Sequence, residues 1–116
     1  PLSLLCLHRS ASVQVVHSFT RDVPAACRRA DVLISAAPVM NFIKPNMVKA
    51  GAVVLDVTTI RHEGRQVGSL DFAGVCRVAS RVTPVPGGVG PVTNVMLLRN
   101  ALTACVAQTK PTGVPR

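Results

Sequence analysis

Three short apolar runs, rich in β-branched residues, alternate with segments that have helical character. The runs occupy residues 13–16, 32–35 and 52–57. Strands that are apolar on both faces are typical of a parallel sheet that helices cover on each side. Between the first two runs, Asp22 suits the N-cap of a helix over residues 24–30. The alternation predicts an α/β fold: a Rossmann-like parallel sheet with helices on both faces.

The C-terminal half predicts a last strand and a long helix, joined by an unusual loop. The strand is expected at residues 81–83 and the helix at 91–106. Residues 84–91, between them, contain three prolines and three glycines. Proline fixes φ and glycine permits close backbone approach, so such a loop can form a rigid wall beside a ligand. One side of the helix carries apolar residues at helical spacing: Val95, Leu98, Leu102 and Cys105.

Shorter elements and the boundaries complete the outline. We expect a helical turn at residues 46–50, a hairpin at 60–67 and a short helix at 71–78. Residues 1–107 are expected to form one domain and residues 108–116 a disordered tail. In open parallel sheets, ligands bind at the carboxyl ends of the strands. The loops expected along that edge are 17–21, 36–40, 57–61 and 84–91.

Composition narrows the classes of partner. Hydrophobic residues make up 48% of the chain, which is enough for a packed core, and no apolar run reaches the length of a membrane span. The net charge is +8, but the arginines are scattered and aromatic residues make up only 3%. Nucleic-acid binding therefore lacks both a basic run and stacking residues. An anionic cofactor explains the charge, and neither nucleic acid nor a membrane is expected as a partner.

The four cysteines point to an intracellular protein. None forms a CxxC pair, so neither a metal site nor a redox motif is expected. We interpret them as reduced residues among apolar neighbours, in the cytoplasm or alternatively the mitochondrion. The cysteines and methionines expected to be packing residues are Cys27, Cys76, Met40, Met47 and Met96.

Three segments in order carry a resemblance to a known family. They are residues 30–36, 51–57 and 83–91, which read ADVLISA, GAVVLDV and TPVPGGVGP. Together they resemble the NAD(P)-binding domain of the bifunctional methylenetetrahydrofolate dehydrogenase/methenyltetrahydrofolate cyclohydrolases. The resemblance implies oxidation of 5,10-methylenetetrahydrofolate to the 5,10-methenyl form and its hydrolysis to 10-formyltetrahydrofolate. It also implies a folate substrate, NADP or NAD as cofactor, and a homodimeric parent protein.

The resemblance places the adenosine end of the cofactor near His17 and Ser18. The residues themselves favour NADP over NAD, because NAD-preferring sites place an acidic residue there and residues 17–21 contain none. The Ser18 hydroxyl and the Arg21 guanidinium suit a 2′-phosphate. A loop serine and a solvated arginine are the alternatives. Thr59 matches a family residue whose backbone contacts the nicotinamide amide, so it is a further predicted cofactor contact.

By the same resemblance, the Gly/Pro loop faces the folate and the nicotinamide through its backbone. The predicted substrate-binding residues are Pro86, Gly87, Gly88, Val89 and Gly90. No catalytic residue and no metal ligand is predicted. The family's Gly-Arg-Ser phosphate loop and its folate domain, with a catalytic lysine and tyrosine, have no counterpart in this sequence. We therefore expect a truncated domain whose sheet is incomplete at its N-terminal end and which is inactive alone.

Two positions depart from the family pattern. Thr58 stands where the family has glycine, and Ser69 stands where it has aspartate. Asp56, which ends an apolar run, is either a ligand or the acceptor of a structural hydrogen bond. The departures leave an alternative open, in which the chain is an inactive copy acting as a binding module. A nucleic-acid-binding module and a dehydrogenase with another substrate are the remaining alternatives.

Overall fold

Helices and strands alternate along residues 1–109, the part of the chain that the computed structural model describes. In chain order the elements are α1 (Leu2–His8), α2 (Val23–Arg28), β1 (Val32–Ser35), β2 (Val53–Asp56), β3 (Ile60–His62), β4 (Arg65–Val67), α3 (Phe72–Val75), β5 (Arg81–Val82) and α4 (Val89–Thr109). A 3-10 turn, Pro45–Met47, precedes β2. From α2 onward this order agrees with the predicted alternation.

Three of the strands form one parallel sheet in the order β1-β2-β5. Val32 lies opposite Val53, and Ser35 lies opposite Asp56 at the carboxyl end. The β2–β5 pairing covers only two residue pairs and ends at Val54 opposite Val82. The predicted α/β class is confirmed, with the strands running in one direction so that their carboxyl ends share an edge.

The core lies around β2 and the elements that pack against it. Val54 and Val75 have no exposed surface at all. Burying a side chain of this size contributes about 1.5–3 kcal/mol. The other members of the core cluster come from α2, the turn and the connecting loops: Cys27, Ile43, Met47, Val48, Ala52 and Leu70. The core therefore consists almost entirely of aliphatic and sulfur-containing side chains, as the aromatic-poor sequence requires.

Two aspartates begin the short helices. The Asp22 Oδ1 accepts from the backbone N–H of Ala25 at 2.9 Å, which satisfies a donor in the first turn of α2. The Asp71 Oδ1 accepts from Gly74 at 3.2 Å and begins α3 in the same way. The predicted Asp22 cap is confirmed, and Asp71 caps the short helix that was expected after it. Caps of this kind stabilise a helix by about 1 kcal/mol.

The predicted hairpin is formed by β3 and β4, with Ile60 opposite Val67 and His62 opposite Arg65. Its two loop residues, Glu63 and Gly64, have φ values of +48° and +76°. Two positive φ values are what a type I′ turn needs, and that turn matches the twist of antiparallel strands.

The predicted strand at residues 13–16 is not formed. This segment pairs with no strand among residues 1–109, and Val15 is 67% exposed. An apolar run becomes a strand only when another backbone lies beside it. Here β1 pairs only with β2, and no other described strand borders the segment or the second edge of β1.

The long C-terminal helix is present, but its predicted apolar stripe is not buried. Helix α4 begins at Val89, so Pro91 is its third residue rather than its first, and it contains no buried residue. Leu98 is 72% exposed, because none of the described elements covers it. Gln108 and Thr109, which are predicted to belong to the tail, are helical, and the rest of the predicted tail lies outside the described residues. None of the helices described combines the length and the apolar character that crossing a bilayer requires.

The sulfur-containing residues are only partly the packing residues that we expected. Cys27 and Met47 lie in the core, as predicted. The prediction is wrong for Cys76, which is exposed, and Cys105 is exposed as well. Met40 and Met96 also expose about two-fifths of their surface. Met96 lies on α4, which no described element covers. Burial raises the pKa of the Cys27 thiol, an effect that the nearby Arg28 partly opposes.

Candidate functional site

The carboxyl edge of the sheet brings together three of the four predicted loops. Strands β1, β2 and β5 run parallel, so the segments 36–40, 57–61 and 84–91 all leave the sheet at this edge. The fourth predicted loop, 17–21, follows a segment that is not a strand. Among the described residues, no hydrogen bond joins it to the other three. The candidate site is therefore built around the ends of three strands.

A buried carboxylate lies at the centre of this edge. Asp56, the last residue of β2, is 1% exposed. Its Oδ1 accepts from the backbone N–H of Thr58 and from the Ser69 hydroxyl, both at 3.0 Å. Its Oδ2 accepts from the backbone N–H of Ser69 at 2.6 Å. Within residues 1–109 no basic side chain pairs with it, so three neutral donors compensate the burial. Of the two alternatives for Asp56, the geometry agrees with structural hydrogen bonding.

The neighbouring polar groups connect the other strands to Asp56. The Ser35 and Ser69 hydroxyl oxygens lie 2.6 Å apart, and both residues are buried. The Ser69 carbonyl accepts from the backbone N–H of Ile43 at 3.1 Å. On the opposite side, the backbone N–H of Asp56 donates to the Thr83 hydroxyl at 2.8 Å. The ends of β1, β2 and β5 are thus joined by side-chain hydrogen bonds beyond the backbone ladder.

Two glycines make the close approaches in this region possible. A Cβ on Gly68 would overlap the Asp56 carboxylate, and one on Gly88 would overlap the Pro84 carbonyl oxygen. Gly87 has a φ of +98°, which favours glycine. The Gly/Pro loop therefore turns back on its own backbone, and the prediction of a tightly shaped wall agrees with the structure.

A small cleft opens beside this wall. It is lined by Asp56, Gly68, Leu70, Phe72, Thr83, Pro84 and Val85. A larger open hollow is lined by Asn41, Lys44, Pro45, Asn46 and Asp71, none of which is a predicted site residue. The cleft has an apolar lining with few polar groups, which is the composition expected of a wall for an organic ligand.

The predicted substrate-binding residues lie in the Gly/Pro loop and in the first two residues of α4. Pro86, Gly87 and Gly90 are exposed, while Gly88 and Val89 are half-buried. Thr59, on the neighbouring loop after β2, is exposed too. Thr58 beside it is half-buried, and its Oγ1 is buried with no hydrogen-bond partner in the described structure.

The predicted adenosine-binding residues lie on a turn that closes on itself. The backbone N–H of His17 donates to the Thr20 hydroxyl at 3.1 Å, and that of Phe19 donates to the His17 Nδ1 at 3.2 Å. Ser18 and Arg21 are exposed, and neither side chain forms a hydrogen bond within the described residues. The turn thus presents a hydroxyl and a guanidinium to solvent, while the His17 ring stabilises the turn.

No group of metal-ligating side chains is found in residues 1–109. The ion pair found there is Lys49–Asp31, 2.6 Å long and at the surface. The Lys49 hydrogen bond and charge lower the pKa of the Asp31 carboxyl. Neither residue of this pair is a predicted site residue. The pair joins the residue before β1 to the segment before β2.

Comparison with known proteins identifies the domain. The profile of the family described as "Tetrahydrofolate dehydrogenase/cyclohydrolase, NAD(P)-binding domain" matches residues 1–109. The chain belongs to this family. It is 50% identical over 109 residues to the bifunctional protein FolD of Roseiflexus sp. (strain RS-1), covering 93% of this chain and 38% of the relative. For FolD of Aquifex aeolicus the identity is 53% over 102 residues, covering 88% and 35%.

Solved structures agree with the sequence comparison. The FolD methylenetetrahydrofolate dehydrogenase/cyclohydrolase of Campylobacter jejuni aligns with a TM-score of 0.88 at 41% identity, covering 92% of this chain and 38% of that one. The Trypanosoma brucei enzyme, solved with NADP cofactor and an inhibitor, aligns with a TM-score of 0.81 at 40% identity, covering 88% and 37%. The chain thus spans less than two-fifths of the length of its FolD relatives. The Rossmann-like class and the family resemblance are both confirmed.

Sequence reasoning missed the hydrogen-bonded cluster that Ser35 and Ser69 form with Asp56. Each ends or follows a strand, where a polar residue usually faces solvent or a ligand. A usable signal was the pattern of apolar strands that end abruptly on one small polar residue, at Ser35 and Asp56. Pairing these two residues required the strand register, which places them side by side.

Proposed function

We propose that this chain is the cofactor-binding part of an enzyme that oxidises 5,10-methylenetetrahydrofolate with NADP and hydrolyses the methenyl product to 10-formyltetrahydrofolate. The match to FolD proteins over residues 1–109 carries this proposal. The carboxyl-edge geometry supports it, because a wall of loops stands where a parallel sheet binds ligands. The remainder of the parent protein would bring the folate domain and the acid/base residues.

In this proposal the Gly/Pro loop shapes the wall where folate and nicotinamide meet. Residues 86–90 act through backbone and shape, and the backbone of Thr59 holds the nicotinamide amide. The bound cofactor supplies the hydride acceptor. The protein groups orient the two reactants and exclude water from between them, which is how positioning accelerates such a transfer. No residue of this chain is assigned an acid/base role.

Preference for NADP over NAD rests on the turn at residues 17–21. An acidic side chain there would repel a 2′-phosphate, and the turn has none. The nearest acid, Asp22, is occupied with capping α2. Ser18 and Arg21 are exposed and available to bind the phosphate. Calorimetric titration with NADPH and NADH tests this, and we expect tighter binding of NADPH by tenfold or more.

The matched variants are Arg21→Ala and Arg77→Ala. Both remove one exposed arginine and lower the net charge equally, but Arg77 follows α3, outside the predicted site. We expect Arg21→Ala to weaken NADPH binding while leaving NADH binding unchanged. Equal losses for the two variants would show a general charge effect and contradict the assigned contact. Failure of the unaltered chain to bind either nucleotide would overturn the proposed function.

One observation favours a binding module without catalysis. Thr58 adds a side chain at the position where the family pattern has glycine, close to the expected nicotinamide. If this side chain obstructs the cofactor, Thr58→Gly will tighten NADPH binding severalfold. An unchanged affinity would favour the enzyme. From the family resemblance we further propose that the parent protein is a homodimer. We propose the cytoplasm as its compartment, with the mitochondrion as the alternative, and the four free cysteines support a reducing compartment.

A further inference from the structure

Two departures from the family pattern meet at one carboxylate. Thr58 and Ser69 are separated along the chain, yet the backbone N–H of each donates to Asp56, at 3.0 and 2.6 Å. The Ser69 hydroxyl donates to the same carboxylate at 3.0 Å. The Ser69 side chain therefore acts directly on Asp56, whereas at position 58 the contact is a backbone N–H that a glycine would also supply. Through these bonds Asp56 is joined to both segments.

We propose that Asp56 is a positioning residue that holds the loops of the proposed cofactor wall, and that Ser69 is the residue that secures its carboxylate. The inference rests on the proposed function only where its test uses a nucleotide. Asp56 binds the loop after β2 through Thr58 and the segment before α3 through Ser69. Its own N–H binds Thr83, which leads directly into the Gly/Pro loop.

The hydrogen bonds at Ser69 have one consistent direction. A hydroxyl has a single proton, and the Ser69 proton is used toward Asp56. The 2.6 Å contact with Ser35 must then be donated by the Ser35 hydroxyl and accepted by Ser69. The Ser35 hydroxyl thus donates to Ser69, and the Ser69 hydroxyl donates to the Asp56 carboxylate, which only accepts. The side-chain oxygens of Ser35, Ser69 and Asp56 are thereby all hydrogen-bonded, and the end of β1 is joined to the end of β2.

Among residues 1–109 the groups that donate to the Asp56 carboxylate are uncharged. They are the backbone N–H of Thr58 and the backbone N–H and hydroxyl of Ser69, and Gly68 lies directly against the carboxylate. An aspartate at position 69 would bring a second carboxyl group to this enclosed place. Two adjacent carboxylates cannot both stay ionised, so such a pair takes up a proton. Serine adds no second ionisable group beside Asp56.

The test combines amide exchange with NADPH affinity. In the full chain, hydrogen exchange measured by NMR is compared for the unaltered protein, Ser69→Ala, Ser69→Asp and Asp56→Asn. Ser80→Ala is the control, because the Ser80 hydroxyl also donates a hydrogen bond, in its case to the Ala52 carbonyl and outside the site. We expect Ser69→Ala to speed exchange of amides in residues 57–59 and 84–91 about tenfold and to leave the hairpin unchanged. Ser80→Ala should alter neither loop.

NADPH titration at pH 6 and pH 8 separates positioning from a general loss of stability. The 2′-phosphate of NADPH itself loses a proton at about pH 6, so the unaltered chain sets the baseline. We expect the ratio of the Kd of Ser69→Asp to that of the unaltered chain to rise severalfold from pH 6 to pH 8, and the same ratio for Ser69→Ala to stay level. Ser69→Ala should bind more weakly at both pH values while remaining folded. If neither loop exchange nor Kd responds to Ser69→Ala and Ser69→Asp, the inference is overturned, even if Asp56→Asn fails to fold. If the unaltered chain does not bind NADPH, the proposed function fails, and loop exchange alone then decides the inference.

Discussion

The Thr83 hydroxyl accepts a hydrogen bond from the backbone N–H of Asp56 at 2.8 Å, beyond the point where the β2–β5 ladder ends. Strand β5 contains only two residues, so its backbone alone gives a short attachment to the sheet. The Thr83 side chain extends this attachment by one further bond. The Gly/Pro loop begins at the next residue, and its first position is therefore fixed relative to Asp56.

Replacement of Thr83 by valine should destabilise the chain. Valine keeps the side-chain shape but removes the acceptor, which leaves the Asp56 N–H unpaired in a buried place. We expect a loss of about 1–3 kcal/mol in the free energy of unfolding, measured by urea denaturation. Thr83→Ser keeps the hydroxyl oxygen and should retain most of the stability. Equal losses for the valine and serine variants would mean that packing of the methyl group, and not the hydrogen bond, stabilises this contact.

Gly68 and Gly90 should respond differently to alanine. A methyl group on Gly68 would overlap the Asp56 carboxylate, whereas one on Gly90 would point into open space. Overpacking of a buried site costs about 1–3 kcal/mol. Gly90 lies in the first turn of α4 directly before Pro91, where a Cβ disfavours the helical conformation, so alanine gains no helix-interior propensity there. Thermal denaturation should therefore show a clearly lower Tm for Gly68→Ala and a smaller change for Gly90→Ala. A neutral Gly68→Ala variant would show that the segment before Ser69 can move away from Asp56.

The buried thiol of Cys27 should react slowly with iodoacetamide at pH 8. Burial raises its pKa above the ordinary value of 9.0, so less of it is thiolate than in an open chain. The exposed thiols of Cys76 and Cys105 provide the internal comparison. Mass spectrometry of timed samples should show both labelled well before Cys27, and urea should abolish the difference. Since the unfolded chain ionises this thiol first, stability should also fall as the pH rises past 9.0.

The sequence predicted the elements that depend on local pattern and local capping. The N-cap at Asp22 predicted the helix that follows it, and the positions of β1, β2 and β5 follow from short apolar runs. These features need only a few neighbouring residues. The resemblance to the folate dehydrogenases likewise depended on segments that can be recognised one by one.

The remainder depended on contacts between distant parts of the chain. The run at residues 13–16 has strand composition but no strand beside it, so its composition alone could not decide its structure. The stripe of Leu98 and its neighbours has helical spacing but no described element to pack against. The Ser35–Ser69 contact spans 34 positions and exists because the register places Ser35 beside Asp56. The burial of the cysteines could not be predicted from their neighbours in sequence either. Cys27 and Cys76 have similar neighbours along the chain, yet Cys27 is buried and Cys76 is exposed.

Thr58 gives the last prediction, because its hydroxyl oxygen is buried without a hydrogen-bond partner in the described structure. A buried polar atom in this state costs about 1–3 kcal/mol, and valine has nearly the same shape without the hydroxyl. Thr58→Val should therefore raise the free energy of unfolding by about 1 kcal/mol, while its backbone N–H continues to donate to Asp56. Thr93→Val is a control, since the Thr93 hydroxyl is exposed and donates to the Val89 carbonyl within α4. Urea denaturation of both variants measures the difference, and a loss of stability in Thr58→Val would show that the hydroxyl has a partner such as an ordered water.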